Sequence, residues 1–131
     1  PLRPSDDFPG GTAIGISRHV VVADTMDDAL KIAHPAYERW HHSLVKLWVD
    51  NKAQGPAFTR SIKSGLTSAI EAGTDIVGDP DHVAAEITRQ VEELGVNYMI
   101  CQFYFGDMTH WSAMRSLDLF KTEVMPKVAH L

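Results

Sequence analysis

The apolar positions of this chain follow two periods. Val96 to Phe105 is apolar or aromatic on both parities, interrupted only by Asn97 and Gln102. A run of that kind predicts a strand buried on both faces, as in a parallel sheet covered by helices. Gly106-Asp107 ends it and Thr109 offers an N-cap. Ala113, Leu117, Phe120 and Val124 then recur as the apolar stripe of a helix. Ala13 to Ala23 predicts a second strand, with Ile14, Ile16, Arg18, Val20 and Val22 on one parity and Ser17, His19 and Val21 on the other. Asp24 to Asp28 reads as a helix start, with Thr25 as cap and acids at the positive end of the helix dipole. Ala33, Tyr37, Trp40, Leu44 and Leu47 carry that helix on, and Pro35 is expected to kink or break it.

The middle is less regular. Gln54-Gly55-Pro56 is a turn, and Phe58, Ile62, Leu66 and Ile70 outline a weak helix ending near Gly73. Asp79 as N-cap and Pro80 at the first helical position open a cleaner helix. Its stripe is Val83, Ile87, Val91 and Leu94, and Gly95 ends it. The expected order is strand, helix, loose helix, helix, strand, helix. Two strands joined through helices are expected to be parallel. Two strands cannot make a sheet buried on both faces, so the isolated chain is expected to associate with itself as a homo-oligomer.

Composition narrows the function. The chain has 131 residues, a formal net charge of -5 and an ordinary share of hydrophobic residues, 44%. An acidic balance gives no footprint for nucleic acid or for an anionic membrane, and no apolar run is long enough for a membrane span. The single cysteine, Cys101, lies in a predicted strand, which excludes a disulfide framework and fits a cytoplasmic protein. The chain begins at Pro1 with a Pro/Gly/Asp-rich lead that reads as loop, either a processed start or a cut in a surface loop of a longer protein.

No P-loop, GxGxxG, HExxH, CxxC or GxSxG motif is present. His41 and His42 are adjacent on a helix and point about 100° apart, so they read as a solvated face rather than a metal pair. His19 is a polar residue within an apolar strand, either a satisfied core histidine or a site residue. Gln102 and Tyr104 share a parity toward the C-terminal end of their strand, where parallel α/β folds build sites, although Tyr104 also reads as packing. Arg60 and Lys63 lie in the loose segment. They read as solvated, or as part of a lid over an anionic ligand.

The set RHVVVADTMDDA, AYERW, IVGDPDHVAAEI, LGVNYMICQFYFGD and LDLFKTEVMP resembles the C-terminal third of the bacterial luciferase-like flavin-dependent monooxygenases, over Gly15 to about Val128. The resemblance implies α/β class and the C-terminal part of a (β/α)8 TIM barrel, about its last two strands with their helices. It divides the chain into a loop (1–12), a strand-helix unit (13–48), a variable excursion (50–77) and a helix-strand-helix unit (78–131). It further implies a parent enzyme that uses O₂ with reduced FMN, or the deazaflavin F420, on a small organic substrate. A flavin reductase is an implied partner. Most flavin-contacting residues of the family lie on earlier strands, so this chain alone is expected neither to bind flavin tightly nor to turn over.

In the sulfonate-oxidising branch the strand matching GISRHVVV carries an arginine and a histidine toward the barrel interior. His19 matches the histidine, and Ser17 stands in the arginine's place. Tyr104 is the nearest match to a tyrosine beside the active site in some members, and Arg60 to a basic residue of the mobile segment. The competing readings are a non-catalytic, self-associating α/β module and a deazaflavin-dependent dehydrogenase on the same fold.

Overall fold

The computed structural model describes residues 12–55 and 62–131. Its elements run β1 (Gly15–Val22), α1 (Met26–Asp50), α2 (Leu66–Glu71), β2 (Asp75–Gly78), α3 (Pro80–Leu94), β3 (Tyr98–Gln102), α4 (His110–Leu119), a π-helical turn (Phe120–Val124) and α5 (Met125–Val128). The expected α/β class holds. All strands are parallel, in the order β2-β1-β3.

The hydrophobic pattern predicts two strands, and among the described residues the sheet has three. The missed one, Asp75–Gly78, is four residues long. That is too short for periodicity to register, and the capping signal of the next helix overlaps it. It is a strand because Ile76 and Val77, each 1% exposed, fill opposite faces of the sheet.

Since β2 and β3 flank β1 on opposite sides, right-handed crossovers must run over opposite faces. The two cores agree. Val21 and Val77 pack under α1 and α2 with Ala29, Ala33, Ala36, Tyr37, Leu66 and Ala69. Val20, Val22 and Ile76 pack against Val83, Ala84 and Ile87 of α3, joined by Leu119 and Val124. The two predicted parities of β1 therefore serve two different cores.

The caps follow local chemistry. Thr25 Oγ1 accepts from Asp28 N at 3.2 Å, Asp79 Oδ1 from His82 N at 2.9 Å and Thr109 Oγ1 from Ser112 N at 3.1 Å. Each satisfies an amide that the first helical turn leaves unpaired. Gly95 closes α3 in the left-handed conformation, φ 62°.

Three further expectations are corrected. Pro35 does not end α1, which runs unbroken past it. The stripe of the last helix is shifted at one step, where Ser116 takes the inward place expected of Leu117. Ser116, Leu119 and Val124 are buried with Ala113, whereas Leu117 is exposed. The strand predicted over Val96–Phe105 is shorter and is not buried on both faces. Met99 and Cys101 pack on one core while Tyr98 and Ile100 are about half exposed on the other side. Of the weak helix expected through Phe58, Ile62, Leu66 and Ile70, the described residues hold α2, and Phe58 lies outside them.

Where pairing of β1 with β3 stops, at His19 and Gln102, a side chain takes over. The hydroxyl of Ser116, 1% exposed, accepts from Val22 N at 2.8 Å. This ties α4 to the C-terminal end of β1 and gives the buried Val22 amide a partner.

Candidate active site

On the face covered by α1, a pocket of about 480 Å³ opens beside β1. Its floor is polar: Ser17, His19, Thr74, Asp75 and Gln102. Its walls are Tyr37, Trp40, Leu44 and Ile62. Strand register builds the floor, since His19 lies opposite Asp75 on one side and opposite Gln102 on the other. One row across three strands thus carries a carboxylate, an imidazole and a carboxamide.

His19 Nδ1 lies 2.9 Å from Asp75 Oδ1, with both residues buried. Thr74 Oγ1 stands 3.1 Å from Asp75 Oδ2. The imidazole is held on its faces as well. Phe105 stacks on it at 4.1 Å between ring centroids, and Trp40 meets it edge-on at 4.5 Å. Phe105 is placed by the residue after it. Gly106 has φ +61° and lies so close to α1 that a Cβ there would sit 2.0 Å from the carbonyl oxygen of Ala36. Gln102 Nε2 donates to Ser17 Oγ at 2.7 Å, which completes the exposed side of the floor.

The structure therefore brings His19, Ser17 and Gln102 together. Tyr104 is not with them: β3 ends at Gln102, and Tyr104, beyond it, is 66% exposed and does not line the pocket. Arg60 lies outside the described residues. Asp75 is the site residue that sequence reasoning missed. Its only signal was an acid just before a short apolar run, and its partnership with His19 spans 56 positions. Among the described residues no group of three or more His, Cys, Asp and Glu is placed to hold a metal ion. No described helix is long and apolar enough to cross a membrane.

Electrostatics mark the wall opposite the dyad. Burial and the nearby Asp75 carboxylate push the Tyr37 phenol up to about 12, and its hydroxyl donates to the backbone carbonyl of Lys63 at 2.6 Å. An unfolded tyrosine ionises near pH 10. The stability carried by neutral Tyr37 is thus whole below about pH 10 and is lost as pH rises through about 12. Alkaline ultraviolet titration should show Tyr37 ionising late, together with unfolding. Tyr37→Phe should delete that late phase. A wild type without a late phase would contradict the burial of this phenol. On the other sheet face, Arg18 Nε donates to Gln90 Oε1 at 2.7 Å. Burial lowers the Arg18 pKa, opposed by Asp75 and Glu86.

No protein-family model matches the chain. It is 27% identical over 124 residues to the uncharacterized protein y4wF of Sinorhizobium fredii, covering 95% of this chain and 35% of that protein. In fold it is similar to the monooxygenase RslO1 of Streptomyces bottropensis, with a TM-score of 0.66, 23% identity and coverage of 86% of this chain and 30% of that one. It is also similar to the oxygenating constituent of 3,6-diketocamphane monooxygenase from the CAM plasmid of Pseudomonas putida, a type II Baeyer-Villiger monooxygenase solved with FMN. There the TM-score is 0.60 at 24% identity, over 87% of this chain and 33% of that one. A third similar structure is apo-MsnO8, with a TM-score of 0.53, 16% identity and coverage of 85% and 35%. The chain thus shares its fold with part of the three solved proteins, and it spans about a third of the length of each protein it matches.

Proposed function

We propose that this chain supplies the C-terminal β/α portion of a luciferase-like, flavin-dependent monooxygenase, a cytoplasmic barrel enzyme that oxidises a small organic substrate with O₂ and reduced FMN. The observation that carries this reading is the fold match to a monooxygenase over 86% of the chain, coincident with a pocket built on the residue row His19–Gln102. On this reading β1 and β3, neighbours in the sheet, are the last two barrel strands, and α3 is the outer helix between them. The excursion 50–77 contributes α2 and adds β2 beside β1.

The pocket's chemistry suits part of a flavin site. Aromatic Tyr37 and Trp40 with the polar groups of His19 and Gln102 fit a flat heteroaromatic ring or its substrate. Among the described residues no Lys or Arg lines the pocket. When bound, reduced flavin supplies the electrons that activate O₂. This chain's residues orient and enclose: His19 and Gln102 offer hydrogen bonds, and Trp40, Leu44 and Ile62 keep water from the reacting face. A flavin reductase would be the partner that delivers the reduced cofactor. FMN is favoured over F420 by the FMN in one structural neighbour, while a deazaflavin dehydrogenase is the competing use of the same site.

The test compares oxygenation with reduced FMN by the complete reading frame and by this chain alone. Activity is expected from the former only. Micromolar FMN binding or turnover by the chain alone, or no flavin-dependent activity in the complete product, would overturn the reading. The same reading leaves surface to cover. β2 and β3 pair only with β1 among the described residues, and Ile100, Leu47 and Val49 are 49%, 70% and 67% exposed. Open edges and apolar faces of this kind recruit further strands. The chain is therefore expected to sediment at low micromolar concentration as a dimer or larger species. A cooperatively melting monomer of 14.5 kDa would be the contrary result.

A further inference from the structure

We infer that Asp75 and His19 form a proton-accepting pair on the pocket floor, with Asp75 as positioning residue, and that the ligand taken there is a neutral, apolar molecule presenting a hydroxyl group. The inference rests on reading this pocket as the substrate site. An ionised carboxylate only accepts hydrogen bonds. Asp75 Oδ1, 2.9 Å from His19 Nδ1, therefore puts the proton of a neutral imidazole on Nδ1 and leaves the Nε2 lone pair bare.

Nε2 makes no hydrogen bond among the described residues. Yet no buried side-chain nitrogen or oxygen among them lacks a partner. Among the described residues Nε2 is thus not sealed off, and the opening that His19 lines is this pocket. Phe105 on its face and Trp40 at its edge keep the ring from turning away.

The ligand's character follows from the walls. Tyr37, Trp40, Leu44 and Ile62 offer an apolar surface, and the Asp75 carboxylate on the floor disfavours an anionic ligand beside it. A hydroxyl donating to Nε2 is the group the floor is set to receive. In the transfer step the O–H proton moves to Nε2, its electron pair stays on the ligand oxygen, and the imidazolium is held by the Asp75 carboxylate.

The full chain, labelled with nitrogen-15 in its histidines, tests this by long-range proton–nitrogen NMR at about pH 8, where an ordinary imidazole is neutral. The His19 signal is assigned by its absence in His19→Gln. His19 is expected as the Nδ1–H tautomer, and Asp75→Asn is expected to turn it to Nε2–H, because a carboxamide N–H then donates to Nδ1. An Nε2–H form or an even mixture in the wild type would overturn the pair, whether or not the Asn variant folds. Phenol should bind the wild type about tenfold more tightly than anisole, which lacks the donor, with the difference gone in Asp75→Asn. Equal binding of the two, or tighter binding of benzoate, would overturn the ligand class. Failure of flavin-dependent oxygenation leaves these readouts unmoved, so the two readings fail separately.

Discussion

Replacing Gly106 with alanine is expected to destabilise the fold by on the order of 4 kcal/mol or more, or to prevent folding altogether. Two costs combine. The left-handed φ of +61° is unfavourable for an L-residue, and the new Cβ would lie 2.0 Å from Ala36 O, backbone that cannot swing aside. Two other glycines calibrate the result. Gly95 shares the left-handed φ but has open space, so Gly95→Ala should cost about 1–2 kcal/mol. Gly65, the N-cap of α2, has an ordinary φ and open space, so Gly65→Ala should cost only the poorer cap, about 1 kcal/mol or less. Chemical denaturation of the three variants reads the series. A Gly106 variant no worse than the Gly95 variant would mean that the approach to α1 is loose. Because Phe105 stacks on His19, the Gly106 variant should also disturb the pocket floor.

In the complete reading frame, His19→Ala is expected to lower kcat/KM for flavin-dependent oxygenation by about 10²–10³, the usual loss for one positioned hydrogen-bonding group. Tyr104→Phe should change it by less than about tenfold. From sequence the two residues looked equivalent. In the fold, His19 is fixed between Asp75, Phe105 and Trp40, while Tyr104 is exposed beyond the end of β3. Steady-state kinetics with thermal melts separates activity from folding. A His19 variant with unchanged kinetics and a much lower Tm would make the histidine a packing residue. A large loss in the Tyr104 variant would show that the tyrosine is covered and used in the complete protein.

What the sequence by itself determined is what short-range physics controls. Thr25, Asp79 and Thr109 cap helices because an oxygen beside the first turn reaches an amide three residues on, whatever else the chain does. The parities of β1 were legible because alternation is a property of a single strand, and each parity found its own core. His19 stood out for the same reason, as a polar side chain on an apolar strand. The tertiary structure alone decided what that histidine meets. Asp75 reaches it through the pairing of a four-residue strand that carries too few residues for a periodic signal. The order β2-β1-β3 depends on which edges pair after two crossovers, and no local pattern encodes that choice. The inward place on the last helix went to Ser116 rather than Leu117 because the Ser116 hydroxyl meets Val22 N, a contact 94 positions apart in the chain. Gly106 looked like punctuation after a strand. Only the approach of α1, some seventy positions earlier in the chain, makes it a position where nothing larger fits.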